Sequence, residues 1–233
     1  MPAPLPANEA ARLEALRRYH ILDTDPEPAF DDLALLASSI TGSPIATFTL
    51  IDEARQWFKS RVGLADQETE RDAAFCGYTI LSDEVMVVPD ATRDARFADN
   101  RLVVGDPGIR FYAGAPVRSR EGVNVGTVCV IDRQPRLALL EHQRLALEAI
   151  ARQASALLEL RRTAADLADV LRDIGSLSRL LPICGNCRRI REGDGAWRTA
   201  EETLQASGAT FSGALCPDCF RKDYPAFAHR LGR

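Results

Sequence analysis

The chain has 233 residues, 46% hydrophobic and 27% charged, with a formal net charge of −4. That composition fits one large or two smaller globular domains and excludes wholesale disorder. No run approaches the ~20 apolar residues of a membrane helix, and the first twenty residues lack the apolar core of a secretory signal. The expectation is a cytoplasmic protein with no membrane partner, in which six cysteines serve metal, redox or packing roles rather than a disulfide framework.

Residues 8–19 read as a short helix, with Asn8 as its cap and Leu13 and Leu16 on one face. The turn at Asp25-Pro-Glu-Pro leads into a second helix over 29–41. Its expected buried stripe is Leu33, Leu36, Ala37 and Ile40, and Gly42-Ser-Pro ends it. Strands follow over Ile45–Ile51 and 56–62, joined by Asp52-Glu-Ala-Arg. Residues 72–81 read as helical, 85–88 as a short apolar run closed by Pro89, and 95–100 as a turn of helix. Phe111–Arg118 and 123–131 form a second hairpin around Ser119-Arg-Glu-Gly. Two hairpins require an antiparallel sheet, and helices before, between and after would cover it, so the class is α+β. No glycine-rich phosphate loop follows a strand, which argues against Walker or Rossmann nucleotide binding.

Residues 137–181 contain no proline and one glycine, Gly175. Ile150, Leu157, Ala164 and Leu171 recur every seven residues, and Leu160, Leu167, Ile174 and Leu181 form a second row. Two such rows suit a partner helix, so a homodimeric coiled coil is expected over the second half. The first half, around 141–158, is expected to pack on the front domain. Gln153 and Ser178 interrupt the seam.

The tail, 182–233, carries four of the six cysteines as two pairs, Cys184-Gly-Asn-Cys187 and Cys216-Pro-Asp-Cys219, with 28 residues between them. Each pair forms a tight turn that presents two thiolates to one ion, and two pairs make a closed four-sulfur site suited to structural zinc. A small core of few large apolar groups has need of a metal. Unligated thiols or disulfides are the alternative. Thr199 with Glu202 three residues on marks a helix cap between the pairs. Residues 1–136 carry a net of −6 and residues 176–233 a net of +3, which falls to +1 with four thiolates and one zinc ion. Arg188, Arg189 and Arg191 would serve phosphate contacts, but so small an excess argues against nucleic acid and for a protein partner.

The blocks FCGYTI, VVPDATRDARFADNRLV, IRFYAGAPV and GTVCVIDRQPR, in this order within 8–162, resemble the GAF domains of bacterial sensory proteins. The resemblance implies an antiparallel sheet flanked by helices, a small-molecule pocket on one face, and dimerisation through terminal helices that signal to an output domain. The implied division is a sensory domain over 8–136, a connecting helix over 137–181 and a four-cysteine, zinc-ribbon-like module over 182–233. The implied pocket maps to Phe75, Cys76, Tyr78, Phe97, Arg110, Phe111 and Tyr112. Arg110 beside two aromatics suits an anionic or planar ligand; the competing reading makes Phe111 and Tyr112 ordinary strand residues, one in and one out. Cys129 is expected to be a packed core thiol, and Cys76 the thiol to probe for chemistry. Gly77 after Cys76 departs from the Cys-His of tetrapyrrole-binding relatives. No Asn-Lys motif of cyclic-nucleotide binders is found. Two cysteines far apart in sequence do not reproduce the cluster of free methionine sulfoxide reductases. The segment LPICGNCRRIREGDGAWRTAEE with SGALCPDCFRKDYP is similar to a cysteine-rich module that ends some bacterial signalling proteins, with no settled activity implied. The resulting expectation is a signal-transduction protein in which a small-molecule or redox sensor couples through a dimeric helix to a zinc module. The alternatives are a thiol-dependent reductase using Cys76 and Cys129, or a zinc-dependent nucleic-acid regulator. Kinase, cyclase and phosphodiesterase motifs are not seen.

Overall fold

The computed structural model describes residues 2–177, 183–193, 195–206, 208–209, 219, 222, 223 and 225. The chain divides into two compact units, Met1–Val170 and Leu171–Arg233.

The first unit opens with α1, Glu9–Arg17. Asn8 holds the cap position without a side-chain hydrogen bond, and Leu13 and Leu16 are buried as expected. Arg12 is buried beside them; its guanidinium donates to the Ile51 carbonyl and is held by Glu9 at 2.7 Å. Helix α2, Pro28–Thr41, starts with proline in its first turn, where no amide is needed. Its buried face is Phe30, Leu33, Ala34, Ala37 and Thr41. The expected stripe is corrected here: Leu36 and Ile40 face solvent, because Phe30, one turn before Leu33, sets the face by stacking on Phe48 at 5.3 Å. Gly42 ends the helix at φ +62°, a left-handed geometry that favours glycine.

Six antiparallel strands follow: β1 Ile45–Ile51, β2 Arg55–Val62, β3 Glu68–Glu70, β4 Met86–Val88, β5 Phe111–Arg118 and β6 Asn124–Asp132. Their order in the sheet is β3-β2-β1-β6-β5-β4. The expected hairpins are β1–β2 and β5–β6, and they join edge to edge through β1 and β6. Every residue of β1 is buried. Both faces of the sheet are therefore covered, and Phe111 and Tyr112, expected to lie one in and one out, are both buried on opposite faces. The run 72–81 is not one helix. Arg71–Ala73 forms a 3₁₀ turn, Ala74 is extended at ψ 120°, and α3 covers only Phe75–Thr79. Residues 95–99 are turns, and the helix comes one step later as α4, Arg101–Val104, capped by the Asn100 side chain on the Leu102 amide at 2.9 Å.

Helix α5, Glu141–Leu177, begins four residues later than the apolar run; Leu137, before it, is fully exposed. Leu147, Ile150, Ala151, Ala154 and Leu158 form a broad stripe in the same core as α1, α2 and the adjoining sheet face. Farther along, Leu160, Leu167, Val170 and Leu171 are exposed. The end of the expected seam, 178–181, lies outside the described residues.

In the second unit, β7 Ile190–Arg191 pairs with β8 Trp197–Arg198, and α6 spans Ala200–Ala206. The expected cap is reciprocal: the Glu202 amide donates to Thr199 Oγ1 at 3.2 Å, and the Thr199 amide to Glu202 Oε2 at 2.7 Å.

Candidate functional site: an aromatic and thiol pocket

Helices α3 and α4 lie over the sheet face opposite the one that receives α1, α2 and α5. Between them and the sheet is a cavity of about 30 Å³, lined by Phe75, Cys76, Leu102, Tyr112, Cys129 and Ile131 among others. That is room for one or two water-sized molecules. Phe75 stacks on Phe97 at 3.9 Å and tilts against Tyr112 at 5.2 Å; Tyr78 meets the Phe97 edge at 5.0 Å. Of the seven residues proposed from sequence, Phe75, Cys76, Tyr78, Phe97 and Tyr112 thus share one cluster. Phe111 lies in the opposite core, where the Arg136 guanidinium stacks on it at 5.0 Å. The Arg110 guanidinium donates to the carbonyls of Val103 and Ile109 at 2.9 and 3.0 Å, closing the end of α4.

The two thiols are 53 positions apart in sequence, and their sulfurs are 3.7 Å apart. Strand β6 carries Cys129 inward; α3 sets Cys76 above it. The Tyr112 hydroxyl donates to Cys76 Sγ at 3.3 Å and shares a hydrogen bond with Thr79 Oγ1 at 2.7 Å. Thr47 Oγ1 lies 3.1 Å from Cys129 Sγ and 2.7 Å from Thr49 Oγ1. Gly114 makes room for the ring: a Cβ there would stand 2.7 Å from Tyr112 Cζ. Burial raises the Cys76 pKa, but hydrogen bonds to its thiolate, from Cys129 first and from Tyr112, outweigh it and leave the thiol below its ordinary value. The bond to Cys76 and then burial hold Cys129 well above its ordinary value. Cys76 is therefore the more acidic thiol of the pair and the readier nucleophile.

Sequence reasoning missed the threonines. Thr47 and Thr49 alternate through the otherwise apolar run Ile45–Ile51, and a buried hydroxyl needs a partner. It also missed Asn100, which caps α4 and donates to the Ala73 carbonyl at 3.0 Å, tying α4 to the start of α3. Arg96 is paired with Asp94 at 2.6 Å and stacks on Phe97 at 4.9 Å.

In the tail, Cys184 and Cys187 sit in a tight turn. The Cys184 amide donates to the Arg189 carbonyl at 2.9 Å, and the Arg188 amide to the Cys184 carbonyl at 3.0 Å. Backbone amides of Cys187 and Asn186 lower the Cys184 thiol, as a thiolate metal ligand requires. Cys216 lies outside the described residues, and among the described residues no three potential ligands converge.

This architecture, a covered antiparallel sheet with a pocket under short helices and a long terminal helix, is that of a small sensory domain. The GAF domain model matches residues 25–158, and the chain belongs to that family. A cyclic di-GMP phosphodiesterase of Pseudomonas aeruginosa is 42% identical over 153 residues, 66% of this chain. The chain spans about a quarter of that relative, 26% of its length. Among solved structures, the GAF domain of an Acinetobacter phosphoenolpyruvate-protein phosphotransferase is 20% identical, covers 66% of this chain and 95% of its own, and has a TM-score of 0.49. The chromophore-binding domain of a bacteriophytochrome from R. palustris is 17% identical over 69% of this chain and 65% of its own, with a TM-score of 0.49. Among the described residues no helix is long and apolar enough to cross a membrane.

Proposed function

We propose that the chain is a signal-transduction protein in which the pocket beneath α3 and α4 receives a small-molecule or redox signal and α5 carries it onward. The carrying observation is that β6 lines the pocket with Cys129 while its neighbours Val128 and Val130 pack in the core that holds α5. The alignment to part of a phosphodiesterase supports an input role, because the shared 153 residues are about a quarter of that enzyme.

In this reading the exposed apolar positions of α5 beyond residue 158 pair with a second copy. The tail folds around one zinc ion held by Cys184, Cys187, Cys216 and Cys219, and presents a surface to a protein partner. The ion supplies structure rather than catalysis, since four protein sulfurs leave no open position. Support comes from the Cys184–Cys187 turn, whose backbone amides favour a thiolate. Native mass spectrometry of the full chain is the test. A dimer with one zinc per chain is expected; a metal-free monomer overturns the coupling and tail assignments together.

A further inference from the structure

Buried cysteines usually pack as small hydrophobes among apolar neighbours. Cys76 and Cys129 lie in such a cluster, but hydroxyl groups face them as well. Their sulfurs face each other at 3.7 Å inside a ring of hydroxyls from Thr47, Thr49, Thr79 and Tyr112. Thr127, two residues before Cys129 on the same face of β6, adds a further buried hydroxyl that favours the thiolate of either cysteine. The adjoining cavity of about 30 Å³ reaches both cysteines.

We propose that Cys76 and Cys129 form a reversible dithiol–disulfide couple oxidised by hydroperoxides of about the size of hydrogen peroxide. This deepens the sensory reading and rests on it, since it names the signal received at the same pocket. The Cys76 thiolate attacks one peroxide oxygen. An S–O bond forms, the O–O bond breaks, and the departing alkoxide or hydroxide takes up the proton that Cys76 had released. Cys129 sulfur then attacks the Cys76 sulfenic acid. The S–S bond forms, the S–O bond breaks, and water leaves with the Cys129 proton. Two thiols and one hydroperoxide become a disulfide, an alcohol or water, and a further water; an external dithiol reverses the step by thiol–disulfide exchange.

Geometry assigns the order. Tyr112 aims its O–H at Cys76, stabilising the thiolate, whereas Cys129 meets Thr47. The lowered pKa of Cys76 and the raised pKa of Cys129 agree with this assignment. Size assigns the oxidant. A water needs roughly 10–15 Å³ by the same measure, so the cavity admits a molecule of two heavy atoms. Methionine sulfoxide or a bulky organic hydroperoxide would have to displace Phe75 or Leu102 from its wall.

The test treats the reduced full-length protein with stoichiometric hydrogen peroxide, cumene hydroperoxide or free methionine sulfoxide, then alkylates it under denaturing conditions and maps its peptides. Hydrogen peroxide is expected to link the Cys76 and Cys129 peptides with loss of two hydrogens, at least tenfold faster than cumene hydroperoxide, while methionine sulfoxide leaves both thiols alkylated. Cys129→Ser is expected to leave a dimedone-trappable sulfenic acid on Cys76, and Tyr112→Phe to slow the linkage. Both thiols remaining free while the tail cysteines oxidise would overturn the couple, as would linkage at equal rates by both hydroperoxides for its size limit. Should Cys129→Ser not fold, the wild-type peptide map decides alone. A dimer that binds zinc without forming the linkage would leave the sensory reading standing and remove this one.

Discussion

The Tyr19 hydroxyl, just past the end of α1, donates to the Glu159 carboxylate on α5, 140 positions away. Burial raises the Tyr19 pKa and the Glu159 charge adds to it, so the phenol keeps its proton throughout the physiological range. Glu159 stands where α5 stops being buried: Leu158 is in the core and Leu160 is exposed. Tyr19→Phe is expected to cost about 1.5–3 kcal/mol, the range for a hydrogen bond to a charged group. Hydrogen exchange would rise first around residues 155–161; unchanged protection there would place the anchor elsewhere.

Glu9 gives the acid limb of stability. Burial raises its pKa, but the Arg12 and Arg71 guanidinia outweigh that and hold it at about 2. The unfolded carboxyl titrates near its ordinary 4.5. Because the folded value is the lower one, the contribution is fully present above pH 4.5 and is lost as pH falls toward 2. Glu9→Gln is expected to lower the melting temperature at neutral pH, with the difference from wild type shrinking across that window. A difference independent of pH would assign the loss to packing instead.

Gly114→Ala tests the ring over the thiols. The added methyl collides with Tyr112, whose 0% exposure leaves it nowhere to go. A cost of about 1–3 kcal/mol is expected from overpacking. Cys76 alkylation in the native protein would quicken as α3 loosens, and equal reactivity in wild type and variant would contradict the tight fit.

Leu160 and Leu167 separate packing within the chain from packing between chains. They are 65% and 56% exposed in a single chain, so replacing both by lysine should change monomer stability by less than about 0.5 kcal/mol each. A dimer joined along the heptad rows would dissociate on that change. Analytical ultracentrifugation of the double variant reads the difference, and an unaltered sedimentation coefficient excludes these positions from an interface.

Removing one tail sulfur, as Cys184→Ser, is expected to abolish zinc retention from about one ion per chain and to melt the tail. The thermal transition of the front unit should stay unchanged, because among the described residues its core draws on none beyond Leu158. Full zinc retention would refute the four-sulfur site.

Much of the frame was legible because turn chemistry and strand composition are local signals. Ile45–Ile51 and Phe111–Arg118 read correctly from β-branched and aromatic runs between turns. The face of α2 did not. Leu36 and Ile40 fit a helical stripe as well as Phe30 and Ala34 do, and tertiary packing chose between them. The helix at Arg101–Val104 is too short for a period, and its cap, Asn100, reads in the sequence as the end of a helical turn over 95–100. The thiol pair was invisible for a different reason. Nothing local brings Cys76 to Cys129; the meeting follows from β1 pairing with both β2 and β6, a contact between hairpins remote in sequence.

Strand β6 is one peptide thick, and its pleat has a mechanical consequence. Val128 and Val130 lie in the core with Leu147, Ile150 and Ala154, whereas Cys129 between them points the other way. Any pull on Cys129 is therefore felt one residue away by side chains that grip the connecting helix. The route from a chemical event under the short helices to the long one is a wall, not a wire, and its length is a single residue.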